Sequence, residues 1–366
     1  MSGRPAGALL GMVTAFLLVA PPAAAQPARA PAGGATTGTV AGAPAARDVV
    51  LGRGDSRLAR TSATSTEGRY PVDDGTGATI AVLVTAACRL VCTDSDPQRI
   101  ASTVGTFLHG DEIERLTVQL DAPFEIPLDC GAQVVACYFA GPQRIVLSGN
   151  DTPAPDGAGR DLVLAHEYGH HVARNRRSPA PFPAPLLWGT PRWSSHENVC
   201  RQRRAGFLFP GAGPAHYYLD PGEAFAEAFA RLHFPAMSPR WKWPKSLRPG
   251  PGAFQAIRED TLDPWVGPTR LIVTGRTPPQ ARGATVRPLR TPLDGNVRIR
   301  NTRLPRSRTE LGLRSPHEGS MSRARLGVDR RFSLEHTVCG EAHLDVILRS
   351  ARKNAGSSFR LKVQRP

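Results

Sequence analysis

Leu162-Val163-Leu164-Ala165-His166-Glu167-Tyr168-Gly169-His170-His171-Val172 is the stretch on which the reading of this chain turns. Leu162, Val163, Ala165, Tyr168 and Val172 recur at helical spacing and supply an inward-facing stripe. His166 and His170, four residues apart, then project together from one face. Two neutral imidazoles so placed can take adjacent corners of a zinc tetrahedron. Glu167 stands beside the first of them, where it can take a proton from a metal-held water and return it to a leaving amine. His171 points off that face and is expected at the surface or as support.

A catalytic zinc of this kind needs a third protein ligand and an open fourth position. A histidine six residues beyond His170 would complete one known pattern, but Arg176 stands there. A carboxylate from a later helix is the alternative. Asp220-Pro221-Gly222-Glu223-Ala224-Phe225-Ala226-Glu227 opens with a good N-cap and a proline at the first helical position. Glu223 and Glu227 share a face of that helix, with Glu223 assigned as ligand and Glu227 as its support. The competing reading is a capping box between Asp220 and Glu223, which would leave Glu227 as ligand or no carboxylate ligand at all.

HEYGHHV followed some way on by EAFAEAF resembles the gluzincin zinc peptidases, particularly the anthrax lethal-factor-like and bacterial secreted members. The resemblance covers about residues 78–265 and implies Glu223 as the third ligand to one zinc ion (Zn2+) per chain. It also implies an upstream tyrosine that donates to the developing oxyanion. His216, Tyr217 and Tyr218 stand in that place; Tyr217 is chosen, although spacing does not separate it from Tyr218. The stretch Cys130 to Tyr138 is similar to secreted bacterial members, leading into an exposed strand that could pair with an extended substrate.

Around this motif the 366 residues divide readily. Arg4, the apolar run Ala8 to Ala20 and Ala23-Ala24-Ala25 follow the order of a secretory signal peptide over 1–25, a retained anchor being the alternative. No later segment is apolar for long enough to cross a membrane. The mature chain is therefore expected outside the cytoplasm, without a transmembrane segment. Residues 26–76 are rich in Ala, Pro, Gly, Thr and Arg without apolar periodicity, which reads as a disordered linker or propeptide. Arg53-Gly54-Asp55 in that stretch is read as a chance tripeptide.

Thr79 to Thr85, Leu116 to Leu120 and Gln143 to Leu147 read as strands, and Asp96-Pro97 as a helix start. The expected fold for 77–265 is an α+β, zincin-like catalytic domain. Beyond it, 266–366 carries short β-rich runs between Gly, Pro, Ser and Asn, an appended all-β, sandwich-like C-terminal domain. Trp188, Trp193, Trp241, Trp243 and Trp265 lie among prolines and are expected to pack loops.

The net charge of +15 gathers in that last part, where about 21 Arg and Lys stand against about 7 Asp and Glu. This is either a compositional habit of an Arg-rich chain or a basic face for an anionic cell-surface polymer or lipid headgroups. Aromatic residues are too sparse there for a base-stacking platform, so no nucleic-acid partner is expected. The 6 cysteines suit an oxidising compartment. Cys130 with Cys137 is the favoured disulfide, followed by Cys88 with Cys92 or either of those with Cys200.

The activity expected is hydrolysis of peptide or protein substrates, with Glu167 as general base and acid. A catalytically silent secreted binding or adhesion protein on the same scaffold, working through its basic C-terminal part, is the alternative.

Overall fold

The computed structural model describes residues 47–51, 65–93, 96–132, 134–151, 159–211, 214–236, 240–277, 284–303, 309–315, 321–325, 333–350 and 356–366. The stretch read as a signal peptide, 1–25, lies outside them, as does Arg53-Gly54-Asp55. The described chain is mixed α/β, with several sheets and a helical part.

A six-stranded sheet is built first. Its strands are β1 (Arg47–Leu51), β2 (Thr66–Pro71), β3 (Thr79–Val84), β4 (Thr117–Asp121), β5 (Val134–Phe139) and β6 (Arg144–Ser148), in the order β1-β5-β6-β4-β3-β2. β3, β4 and β6 run parallel, while β2 is antiparallel to β3 and β5 antiparallel to β6. The apolar run of β3 (TIAVLV) does not alternate because residues on both of its faces are buried.

β1 and β2 come from the stretch expected to carry no ordered structure, so that expectation is corrected for 47–51 and 66–71. Neither strand has a core-forming pattern of its own; each is held by backbone pairing to a neighbour, β1 to β5 and β2 to β3. The exposed strand expected after Cys130 to Tyr138 is also corrected, since β6 lies between β5 and β4, and the stretch itself forms β5. β5 is not an edge, because β1 lies along it with Val50 opposite Tyr138.

The helices that follow these strands are α1 (Ala86–Val91), α2 (Pro97–Gly105), α3 (Ile126–Asp129) and α4 (Arg160–Arg174). α2 starts as its sequence demands: Asp96 accepts from the Gln98 N–H at 3.0 Å and Pro97 takes the first turn. Its buried face, Ile100, Ala101 and Val104, packs on β2 and β3. α4 packs on β5 and β6 from one side and is covered on the other by a later helix. It is therefore buried almost all round rather than amphipathic.

Short helices α5 (Pro185–Trp188), α6 (Pro191–His196) and α7 (Val199–Arg204) lead to α8 (Pro221–His233) and α9 (Pro251–Leu262). Sheet and helices share one apolar core that includes Val82, Val118, Leu164, Tyr168, Phe229 and Ile257. Trp193 on α6 is fully buried against Phe225 of α8, so it packs the core itself rather than a loop.

From Thr269 onward every described regular element is a strand. These are β7 (Thr269–Arg276), β8 (Ala284–Thr291), β9 (Gly295–Arg303), β10 (Thr309–Arg314), β11 (Met321–Arg325), β12 (Ser333–Val338), β13 (Ala342–Ser350) and β14 (Ser358–Arg365). They form two four-stranded antiparallel sheets, β11-β10-β13-β8 and β12-β9-β14-β7. Val297, Ile299, Leu311, Leu313, Leu344 and Leu361, from both sheets, bury into one common core.

Disulfides join Cys88 to Cys92, Cys130 to Cys137 and Cys200 to Cys339. The last, with a separation of 139 residues, ties α7 to the β12–β13 turn. Beside it the Asp294 N–H donates to Ser195 Oγ at 2.8 Å and the Asn296 N–H to the Ala180 carbonyl at 2.8 Å. Among the described residues no helix is long and apolar enough to cross a membrane.

Candidate metal centre

The i, i+4 spacing on α4 sets the rings of His166 and His170 side by side, with centroids 5.1 Å apart. α8 crosses this face of α4, and Gly169 sets how closely. A β-carbon at Gly169 would stand 2.9 Å from Ala226 Cα and 3.1 Å from Phe229 Cβ, so only glycine lets the two helices meet there.

α8 is started by Asp220, whose side chain accepts from the Gly222 N–H at 2.8 Å and the Gly211 N–H at 2.7 Å. Pro221 occupies the first turn. The Asp220 N–H donates to the Tyr217 carbonyl, and Glu223 turns the other way, toward the histidines. The capping-box reading of Glu223 is thereby set aside.

Glu223 Oε2 lies 3.3 Å from His166 Nε2 and 3.2 Å from His170 Nε2. One ligand atom from each of the three residues falls within 4.8 Å of the others, and all three side chains are buried. These spacings suit a common ion: bonds of about 2.0–2.1 Å to tetrahedral corners put neighbouring ligand atoms about 3.3 Å apart. The group can hold a metal ion. Burial lowers the His170 pKa against the pull of Glu223. Burial would raise Glu223, yet the facing His170 and His166 outweigh it and bring the carboxyl down to about 2. An imidazole at His170 pushed toward its neutral form beside an ionised Glu223 carboxylate suits a cation.

Glu227, one turn beyond Glu223, reaches the same cluster from behind. Its Oε2 is 3.6 Å from His166 Nδ1, and its Oε1 accepts from Arg231 Nε at 3.0 Å. The Arg231 guanidinium in turn lies 5.2 Å from the centroid of the Trp241 ring. From sequence, Arg231 has no expected role and Trp241 only loop packing, although an acid followed by an arginine four residues later is a legible helix pair.

Glu167 is fully buried beside His166. Its charge reaches Tyr138 on β5, whose hydroxyl is kept un-ionised by burial in the first place. Tyr217 lies half-buried in the turn before α8, its ring 5.1 Å from that of Tyr218 and 6.0 Å from that of Trp243. His216 is exposed and stacks on Phe209.

His171 is not a surface residue. It is wholly buried, with Nε2 2.8 Å from the Glu112 carbonyl and Nδ1 3.1 Å from the Tyr138 hydroxyl. A carbonyl only accepts, so Nε2 carries the proton and Tyr138 donates to Nδ1. Arg176 is held by the Glu112 carboxylate at 2.9 Å and by the Thr261 carbonyl at 2.8 Å. Together these contacts fix the back of α4 and so the direction of its histidines.

No family model matches the chain, and no curated protein matches it. Among solved structures, a crystal structure of Legionella pneumophila aminopeptidase A in complex with aspartic acid aligns at 10% identity and a TM-score of 0.22. The alignment covers 75% of this chain and 36% of that one.

Proposed function

We propose that this chain is a secreted, zinc-dependent metallopeptidase of the gluzincin type, with a zincin-like domain followed by a β-sandwich. The observation that carries the reading is the meeting of His166, His170 and Glu223 from two helices, with Glu167 next in sequence to the first of them. Three disulfides fit an oxidising compartment.

Zinc held by His166, His170 and Glu223 would act as a Lewis acid, easing deprotonation of a water and polarising the scissile carbonyl. Glu167 accepts one proton from the attacking water. It delivers that proton to the departing nitrogen as the C–N bond breaks, leaving a carboxylic acid and an amine. Tyr217 donates to the oxygen on which negative charge develops. Glu227, with Oε2 3.6 Å from His166 Nδ1, stands where the outer partner of a ligating histidine would steady the ring. Water is the nucleophile, so no acyl-enzyme forms.

An extended substrate that pairs with β5 has to displace β1, which occupies that side of the strand. A peptide-library digestion tests the reading. The parent chain is expected to release new amino termini and the Glu167→Gln variant to release essentially none while keeping its metal. Equal cleavage by both would contradict it.

A further inference from the structure

The two C-terminal sheets come from the same Arg-rich stretch but carry their charge differently. On β11-β10-β13-β8 three exposed cations meet carboxylates, while Arg287 and Arg349 are exposed outside any ion pair among the described residues. Arg290 pairs with Glu341, Arg314 with Asp345 at 2.6 Å, and Arg323 with Glu310 at 3.8 Å.

On β12-β9-β14-β7 most exposed cations do not. The alternation of β14 buries Phe359, Leu361 and Val363 and exposes Arg360 and Lys362. β7 and β9 likewise turn Arg270, Arg276 and Arg300 outward. The register then sets like charge against like. Lys362 stands opposite Arg300 on one side and Ile272 on the other, and Gln364 stands between Arg270 and Arg298. Arg298 is matched by Glu335 at 2.9 Å. Among the described residues no carboxylate pairs with Arg270, Arg276, Arg300, Arg360 or Lys362. Like charges directly opposite on a sheet are destabilising. Both sheets carry exposed cations; what sets this face apart is its shortage of carboxylates, with Glu335 the one that pairs on it among the described residues.

We propose that this outer face of β9, β14 and β7 is a docking surface for a linear polysaccharide bearing carboxylate or sulfate groups. Strand backbones about 4.8 Å apart, with the next outward residue two positions along, set Arg270, Arg300, Arg360 and Lys362 on one cationic face. Arginine meets carboxylate and sulfate oxygens with paired N–H donors. No aromatic side chain is exposed on this face among the described residues, which disfavours nucleic acid, where bases stack on rings. Ile272 is its exposed large apolar side chain, too little to enter a bilayer. The inference rests on charge layout alone and stands whether or not the metal centre hydrolyses peptides.

The test is binding of the full chain to heparin fragments, as a sulfated polysaccharide probe, across a salt series. A face variant (Arg300→Gln, Arg360→Gln, Lys362→Gln) is compared with a control of equal net charge (Arg290→Gln, Arg314→Gln, Arg323→Gln). The parent is expected to bind and to weaken steeply with salt. The face variant should lose at least about tenfold in affinity at low salt and the control no more than about twofold. The unfolding midpoint of the face variant is expected not to fall, since it loses opposed cations. No binding by the parent overturns the proposal, as does equal loss in both variants. So does tighter binding of a single-stranded oligonucleotide or of phosphatidylglycerol vesicles by the parent.

Discussion

Glu227 stands with Oε2 3.6 Å from His166 Nδ1 while its Oε1 is fastened 3.0 Å from Arg231 Nε. The first histidine of the candidate metal group thus faces a carboxylate that is itself held in place. Glu227→Ala is expected to weaken metal binding by about 10–100-fold. Titration against a competing chelator measures it, and an unchanged affinity would remove Glu227 from the site.

Gly169 makes a second, independent demand on the same helices. Adding a methyl group there drives it into Ala226 and Phe229 of α8. Gly169→Ala is expected to cost about 1–3 kcal/mol in denaturant unfolding. It should also weaken metal binding, because Glu223 moves with α8. Stability equal to the parent's would mean that the helices do not pack as closely as described.

Much of this was legible from the chain, and for identifiable reasons. The His166 and His170 spacing, the Asp96-Pro97 and Asp220-Pro221 starts and the short Cys130–Cys137 loop are all local, and local geometry is what residue order encodes. What escaped reading depends on distant neighbours. Cys200 meets Cys339 only because the second β-rich part docks beside α7. His171 is buried only because Glu112 and Tyr138 close over it. β1 is a five-residue run in Ala- and Gly-rich surroundings, and it becomes a strand by pairing with β5. Tyr217 keeps the rank it had beside Tyr218, since both rings pack with Trp243.

Asp294 gives the chain a predictable response to pH. Burial raises its carboxyl to about 7 from an ordinary 3.8, despite the Gly340 N–H it accepts and the charges of Arg204 and Arg201. Between those values the folded chain holds a proton that the unfolded chain has released. Stability from this group is therefore full below the ordinary carboxyl range and is lost as pH rises through about 7. Asp294→Asn keeps an acceptor for Gly340 and removes the titration. It should match the parent at about pH 4 and exceed it at about pH 8 by on the order of 2 kcal/mol. Unfolding curves at the two pH values check this, and an equal difference at both contradicts it.

The pairing of β1 with β5 bears on activity. Val49→Pro with Val50→Pro removes two backbone donors from β1 and disfavours its strand. If β5 receives substrate, the double variant should cleave extended peptides several-fold faster than the parent in a fluorogenic assay. A slower or equal rate would place substrate away from β5.

The most direct measurement is the metal content of the purified chain by elemental analysis, beside a His166→Ala control. About one zinc per chain, lost in the control, is the predicted result. A folded, metal-replete sample without zinc would contradict the account at its centre.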